Sequence, residues 1–336
     1  LSLRRDIADQ KGIAASLNNL GIVWRFSGNV DMALQCLTES LAIRHSIGDR
    51  RGIASSLSNL GITARIRKDH DAARSYYEQS VAIFREIGDQ RGIASALNNL
   101  GSVTMELQDF AASRASYDES LQIAQRIGDQ RAIGYALHNL GRLSKAQKNY
   151  ETAIQFLEQS LAITQQQADL RAIAECLNDI GTILIELKRT QDALEHFQRS
   201  YNLYTEVGDQ RGAIVALKNL ASNNTDRTAA RNYYREALQK AHQIENDPLI
   251  LDVLSLVAAY LLEIRDYTRS YVLVEIIAQQ QDLPEEVQTR IQSLRRRLSI
   301  LAPNDEATAR ADTNEALPQN SIQSIDDAVA LVLQAL

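Results

Sequence analysis

The chain is poor in the residues that build covalent or metal-held frameworks. Among its 336 residues are two cysteines, Cys36 and Cys176, which fall at different positions of the repeating pattern set out below. They cannot make a disulfide framework or a thiolate metal site, so a reducing cytoplasm is the expected compartment. The five histidines (His45, His70, His138, His196 and His242) share no register with one another and make no metal spacing with the cysteines. No phosphate loop of the G-x-x-x-x-G-K-S kind occurs. With no catalytic constellation, metal set or cofactor motif, the chain is expected not to be an enzyme.

Long apolar runs and a basic excess are lacking too. The longest apolar stretch, Leu249 to Leu262, is interrupted by Asp252 and falls short of the roughly 20 residues that a membrane-spanning helix needs. No signal-peptide pattern is present. Net charge is −6 and unevenly placed. From Ala302 onward stand six acids (Asp305, Glu306, Asp312, Glu315, Asp326 and Asp327) and one base, Arg310, which leaves 36 acids and 35 bases in the rest. A near-neutral body with an acidic tail argues against a general nucleic-acid binder, which needs a basic face to release counterions.

What is present is repetition, on a composition of 45% hydrophobic and 23% charged residues that can fill a long core. The stretch from Gly88 to Gly128, GDQRGIASALNNLGSVTMELQDFAASRASYDESLQIAQRIG, returns every 40 residues. Asp89 has counterparts at Asp9, Asp49, Asp129, Asp169 and Asp209. Leu100-Gly101 recurs as Leu20-Gly21, Leu60-Gly61, Leu140-Gly141, Ile180-Gly181 and Leu220-Ala221. A period in the range of roughly 20 to 50 residues marks a stacked repeat protein, in which each unit buries its apolar face against its neighbours.

Within a unit the pattern predicts two antiparallel helices. Asp89 is an N-cap, and Ile93, Leu97, Leu100 and Thr104 follow on one face. That helix should end near Gln108, where Asp109 caps a second helix carrying Ser113, Tyr117, Leu121 and Ala124, stopped by Gly128. Gly101 and the column Ala33, Ala73, Ser113, Ala153 and Ala193 are small where the two helices must approach closely. The sixth unit should have a shortened first helix, ending at Ala221-Ser-Asn-Asn-Thr-Asp. A seventh pair is expected over Pro248 to Ile264 and Asp266 to Gln281. Asp282-Leu-Pro-Glu285 then reads as a capping box for a terminal helix with Val287, Ile291, Leu294 and Leu298 on its apolar face and Arg295, Arg296 and Arg297 in its last turn. Residues 302–323 read as a flexible acidic linker. Residues 324–336 form an amphipathic helix, with Ile325, Val329, Val332 and Leu336 on one stripe, too short to stand alone and so expected to dock. Leu1 to Ala8 aligns with the end of a second helix, so the chain is expected to be a piece of a longer polypeptide.

The order Leu97-x-x-Leu100-Gly101-x-x-Thr104, then Ser113-x-x-x-Tyr117, resembles the tetratricopeptide repeat, with Ala73-x-x-x-Tyr77 and Ala193-x-x-x-Phe197 in other units. It departs in lacking the closing proline and in exceeding the usual period of about 34. The longer form is similar to that of kinesin light chains, spindle-orienting adaptors and bacterial multidomain regulators. The resemblance covers residues 1–301 and implies an all-α, right-handed α-solenoid, a superhelix of seven helix pairs with a capping helix. It also implies a protein- or peptide-binding scaffold or sensor arm of a larger bacterial regulator. An upstream effector domain would then lie in the same polypeptide, as in signal-transducing ATPases and repeat-bearing transcriptional activators.

Candidate binding residues follow from the repeat. Asn19, Asn59, Asn99, Asn139 and Asn219, with Asp179 in the fifth unit, recur mid-helix where asparagine is a poor helix former. The resemblance implies that the first helices line a concave groove and that these amides grip the backbone of an extended peptide. An amide both donates and accepts, which suits that task. The alternative is an asparagine ladder that satisfies backbone groups between repeats. Neighbouring columns vary: Asn18, Asn98 and Asn178 alternate with Ser58, His138 and Lys218. Ile22, Ile62, Ser102, Arg142, Thr182 and Ser222 follow the glycine, and Arg25, Arg65, Met105, Lys145 and Ile185 lie one turn on. Arg25, Arg65, Arg142 and Lys145 would favour an acidic partner. The cations Lys11, Arg51, Arg91, Arg131, Arg171 and Arg211 sit in first turns against the helix dipole and call for carboxylates, for which Glu39, Glu78, Glu119 and Glu158 are the candidates. Two other readings remain open: a small-molecule or signalling-peptide sensor that changes superhelix pitch, and self-association with the terminal helix in a neighbour's groove.

Overall fold

The computed structural model of the chain describes residues 9–280, 283–301 and 325–335, and every described element is a helix. The chain divides into two compact units, residues 1–168 and 169–336. The first holds four helix pairs: α1 (Gln10–Phe26) with α2 (Val30–Ser46), α3 (Arg50–Ile66) with α4 (His70–Glu86), α5 (Gln90–Glu106) with α6 (Phe110–Ile127), and α7 (Gln130–Ala146) with α8 (Tyr150–Gln166). The second holds α9 (Leu170–Glu186) with α10 (Thr190–Glu206), α11 (Gln210–Asn223) with α12 (Arg227–Gln243), and α13 (Asp247–Glu263) with α14 (Tyr267–Ala278). It also holds α15 (Glu285–Leu301) and α16 (Ile325–Ala335). As expected, α11 is the shortened first helix, at 14 residues against 17 in its counterparts.

The helices begin and end where local chemistry says they should. The carboxylates of Asp9, Asp49, Asp89, Asp129, Asp169 and Asp209 each accept the backbone N–H three residues on, at 2.9 to 3.1 Å. Each such cap contributes about 1 kcal/mol. Gly128 closes α6 in the left-handed region, at φ 68°. The short turns inside pairs need the same conformation, yet Lys68, Gln108, Lys148 and Lys188 take it, each at φ 60°.

Two periodic contacts join the helices of a pair. A Cβ placed on Gly101 would lie 2.5 Å from the Tyr117 ring, and Gly61 is as tightly covered by Tyr77, Gly181 by Phe197, and Gly21 and Gly141 by Leu37 and Leu157. The second contact was not anticipated. Ser40, Ser80, Ser120, Ser160 and Ser200 are buried and donate to the carbonyls of Ala14, Ala54, Ala94, Gly134 and Ala174 at 2.7 to 2.9 Å. A buried hydroxyl satisfied in this way adds about 1 kcal/mol, against a larger cost if left unmade. Within each unit of the chain, the first helices of successive pairs also pack directly on one another.

The C-terminal part is held differently. The terminal helix α15 buries Val287, Ile291, Leu294 and Leu298 as expected, but it runs on to Leu301, so Arg295 to Arg297 precede its last turn and Arg295 instead pairs with Glu275 at 2.8 Å. Asp282, of the expected capping box, lies outside the described residues, as do residues 1–8, the linker at 302–323 and Leu336. Helix α16 packs against α12, α13 and α14 of its own chain, burying Ala328, Val329 and Val332, with Asp326 3.0 Å from His242. Its described apolar residues Ala328, Val329 and Val332 are thus covered by its own chain. Asp252 of α13 forms the polar centre of this region, paired with Lys218 and, at 2.9 Å, with Arg290. Burial works to raise the Asp252 carboxyl, but Lys218 and Arg290 outweigh it and hold the group below the usual carboxylate range.

Two outcomes follow from this packing. Gly101→Ala drives a methyl into Tyr117 and is expected to cost about 1–3 kcal/mol, whereas Gly134, whose nearest neighbour to an added Cβ is 3.5 Å away, should gain about 0.5–1 kcal/mol as alanine. Urea unfolding midpoints of the two variants decide this. Because the folded Asp252 value is depressed, its contribution is present above the unfolded value of about 3.9 and lost as pH falls through the folded one. Asp252→Asn should therefore cost about 3 kcal/mol at neutral pH, and the gap to the parent should close below about pH 4 in a stability–pH series.

Candidate functional site

The asparagine column lies where first helices of neighbouring pairs meet. Asn59 Nδ2 donates to Asn18 Oδ1 at 3.1 Å, Asn139 to Asn98 at 3.0 Å, and Asn219 to Asn178 at 2.8 Å. The expected ladder is therefore real in part, but its partners are side-chain amides and not backbone groups. It also forms at every second step, because the accepting residue, one before the column, is asparagine only in alternate units. In the others, Ser58 bonds Ser80 at 2.8 Å and Lys218 pairs with Asp252. Asn19 is exposed and Asn99 half-buried, and neither enters such a pair among the described residues.

Each amide pair spends one N–H and one oxygen, a fraction of what two asparagines can offer. Asn59, Asn139 and Asn219 are half-buried and so keep part of their surface open to solvent. Asn18 and Asn178 are nearly covered, at 8% and 9% exposure, and act as supports. The pair thus fixes the outer amide in one orientation.

The candidate cations do not form one cluster of equals. Arg142 is exposed and Lys145 half-buried on α7. Arg25 and Arg65 are half-buried at equivalent positions of α1 and α3. Arg65 Nε lies 3.6 Å from Glu106. Burial lowers the Arg25 value, Tyr77 partly offsets this, and the charge of Arg65 adds to the lowering.

Three of the six first-turn cations find carboxylates at the start of the next pair, and these are not the glutamates expected of them. Arg51 pairs with Asp89 at 2.8 Å, Arg91 with Asp129 at 3.5 Å and Arg171 with Asp209 at 3.0 Å. One carboxylate thus caps its own helix and also neutralises the cation of the preceding pair. Glu78 and Glu119 are engaged by Arg74 and Arg85 instead, at 2.9 and 2.6 Å.

Two features escaped the sequence reading. A cavity of about 280 Å³ opens between α5, α6 and α7, lined among others by Ser95, Asn98, Ile127, Arg131 and Tyr135. The Arg131 guanidinium lies 5.6 Å from the Tyr135 ring centre. The other feature is the tyrosine column, in which Tyr77 and Tyr117 cover Gly61 and Gly101 and Tyr234 stands where the sixth unit has Ala221. Tyr117 donates its hydroxyl to Ser102 at 3.1 Å, and Tyr234 is 3.0 Å from the Ser222 hydroxyl. Both phenols are pushed up, chiefly by burial, so they keep their protons. The signal was there to find, in the coincidence of tyrosine in one column with serine in another.

Among the described residues no group of histidine, cysteine and carboxylate side chains could hold a metal, and no helix is long and apolar enough to cross a membrane.

Three solved structures share the arrangement at low identity. Aspartyl phosphate phosphatase F from Bacillus subtilis is 15% identical with a TM-score of 0.62, covering 84% of this chain and 74% of that one. A Rap protein complexed with competence and sporulation factor is 14% identical with a TM-score of 0.57, covering 91% and 99%. A signal transduction ATPase with numerous domains and a tetratricopeptide repeat sensor, from Pyrococcus horikoshii, is 14% identical with a TM-score of 0.58, covering 95% of this chain and 44% of that one. At these identities the similarity speaks for the fold. No curated protein matches the sequence. The tetratricopeptide repeat family model matches residues 12–86, 92–166 and 170–239, two helix pairs at a time. With that match over most of its length and the helix pairs described above, the chain belongs to the tetratricopeptide repeat family.

Proposed function

We propose that this chain is the recognition arm of a larger cytoplasmic bacterial regulator, and that it binds an extended peptide or protein segment along the face of its first helices. The observation that carries this is the amide pairs. Asn59, Asn139 and Asn219 are each held by a neighbouring amide with capacity left to both donate and accept, which is what the main chain of an extended segment requires. Asn19 and Asn99 continue the same column, and Asn18, Asn98 and Asn178 act through it. Arg25, Arg65, Arg142 and Lys145 bias the choice toward an acidic segment.

The alternative of a small-molecule sensor is less well supported. The cavity beside Asn98, at about 280 Å³, and the more open one beside Arg171 and Ile244, at about 390 Å³, stand at the low end of the roughly 300–1,000 Å³ of ligand pockets. Placement in a larger regulator rests on the likeness to the Pyrococcus ATPase, of which this chain spans less than half. The Rap protein with its bound factor supports the general mode.

Panning a display library of linear peptides with the chain, beside a thermal-shift screen of small metabolites, tests the proposal. The expected result is a set of captured peptides whose affinity drops about tenfold or more, ~1.4 kcal/mol, with Asn59→Ala and Asn139→Ala. Thermal unfolding of the two variants should show loss of no more than about 1 kcal/mol for each broken amide bond. Capture of peptides indifferent to both changes, or a large metabolite shift without peptide capture, would overturn it.

A further inference from the structure

Ser16, Leu20 and Val23 of α1 stand where later first helices bury their contacts with the pair before them. Val23 is 61% exposed, while its equivalents Thr63, Val103 and Leu143 are each at 0%. Leu20 is 36% exposed, while Leu60 and Leu140 are buried and Leu100 is half-buried. Ser16 is half-buried, while Ser56, Ala96 and Ala136 are buried. What covers this face elsewhere is plain. Val103 lies in one apolar cluster with Ala64, Ala73 and Tyr77 of the pair before it, and Leu140 and Leu143 lie in one with Tyr117. In the second unit of the chain Ala216 clusters likewise with Ala174 and Tyr204.

An end repeat in a stacked protein ordinarily exchanges such residues for polar ones, because nothing covers them. Helix α15 has made that exchange and exposes Gln288, Gln292, Arg296 and Ser299. Helix α1 has not: besides Leu20 and Val23 it exposes Trp24 and Phe26. Apolar surface gathered on one helix in this way marks an interface. A charge points to the same occupant. Asp89, Asp129 and Asp209 each cap their own helix and also take the first-turn arginine of the pair before, Arg51, Arg91 and Arg171. Asp9 caps α1 in the same manner, at the place where such a cation would arrive. In sequence, residues 1–8 align with the end of α2.

We infer that the Ser16, Leu20 and Val23 face of α1 is a stacking interface for one further helix pair of the same repeat, joined ahead of Asp9 in the same polypeptide. That pair presents a large side chain where Tyr77 and Tyr117 stand, a small one where Ala64 stands, and an arginine or lysine toward Asp9. A second copy of this chain would bring either the polar α15 or another α1, and neither repeats the contact seen at the inner steps. The interface is separate from the asparagine column, so its failure leaves the peptide reading as it stands.

The test compares the 336-residue chain with the chain lengthened by one 40-residue period of the sequence encoded ahead of Leu1. Cys36 and Cys176 are buried, so a Val23→Cys thiol can be followed by maleimide labelling. Labelling should be fast in the 336-residue chain and about tenfold slower in the lengthened one, where the reagent enters only through local opening. Val23→Asp should leave the urea midpoint of the 336-residue chain unchanged and lower that of the lengthened chain. Equal labelling in the two chains, or equal effects of Val23→Asp on both, would overturn the interface. So would an encoded sequence without the helix-pair pattern and its first-turn cation. A 336-residue chain that sediments as a dimer with the Val23→Cys thiol protected would assign the face to a second copy and overturn it too.

Discussion

The close contact between a side-chain-free backbone position on each first helix and a large side chain on its partner governs the rest of this fold. Gly21, Gly61, Gly101, Gly141 and Gly181 each receive Leu or an aromatic ring at a distance no β-carbon would tolerate. That contact sets the spacing of the pair and fixes the rotation of the first helix about its axis. Rotation in turn decides what the neighbouring positions do. Two residues before the glycine, a side chain meets the adjoining pair, and there the amides find one another. One residue after it, a side chain reaches the end of the covering ring, and there Ser102 meets the Tyr117 hydroxyl.

Much of this was legible from the chain alone, because it depends on short-range chemistry. An aspartate three residues ahead of an N–H, a glycine at a helix end and an apolar residue each turn need no tertiary context. The caps at Asp9 to Asp209 and the stop at Gly128 are such cases. The serine column was not read, although Ser40 to Ser200 repeat as faithfully as the aspartates. A serine in mid-helix has the same composition signal whether it faces water or donates across a buried gap, and only the packing of the partner helix decides. The turn residues also went unread. Lys68, Gln108, Lys148 and Lys188 adopt a conformation that favours glycine, and the residue after each closes the turn by donating its N–H back to Ala64, Thr104, Ser144 and Leu184.

The charge pairing shows where sequence reasoning about electrostatics runs out. A cation in the first turn of a helix does need a carboxylate, and that requirement was readable. Which carboxylate answers it depends on distances across pairs. The glutamates on the preceding helix are satisfied by Arg74 and Arg85, while the capping aspartate of the next pair has a free oxygen facing back toward Arg51, Arg91 or Arg171. These cations are largely exposed, between 65% and 77%, so each bond adds about 0–1 kcal/mol. Their value lies in register, since each ties the start of one pair to the start of the next.

The candidate site combines a part that repeats with a part that does not. Amide pairs at Asn18–Asn59, Asn98–Asn139 and Asn178–Asn219 recur at every second unit, in step with the two-pair spans that the family model matches. A main chain also repeats, so a repeating donor and acceptor row is suited to it whatever its side chains. Selectivity has to come from positions that break the period. Ile62 breaks it by withholding the acceptor that Ser102 gives, and Arg25 breaks it by standing without the carboxylate that Arg65 has in Glu106. The two departures fall on neighbouring first helices, Arg25 on α1 and Ile62 on α3. Phe197 shows that the ring alone fills this place, so the Tyr77 hydroxyl adds nothing to the packing.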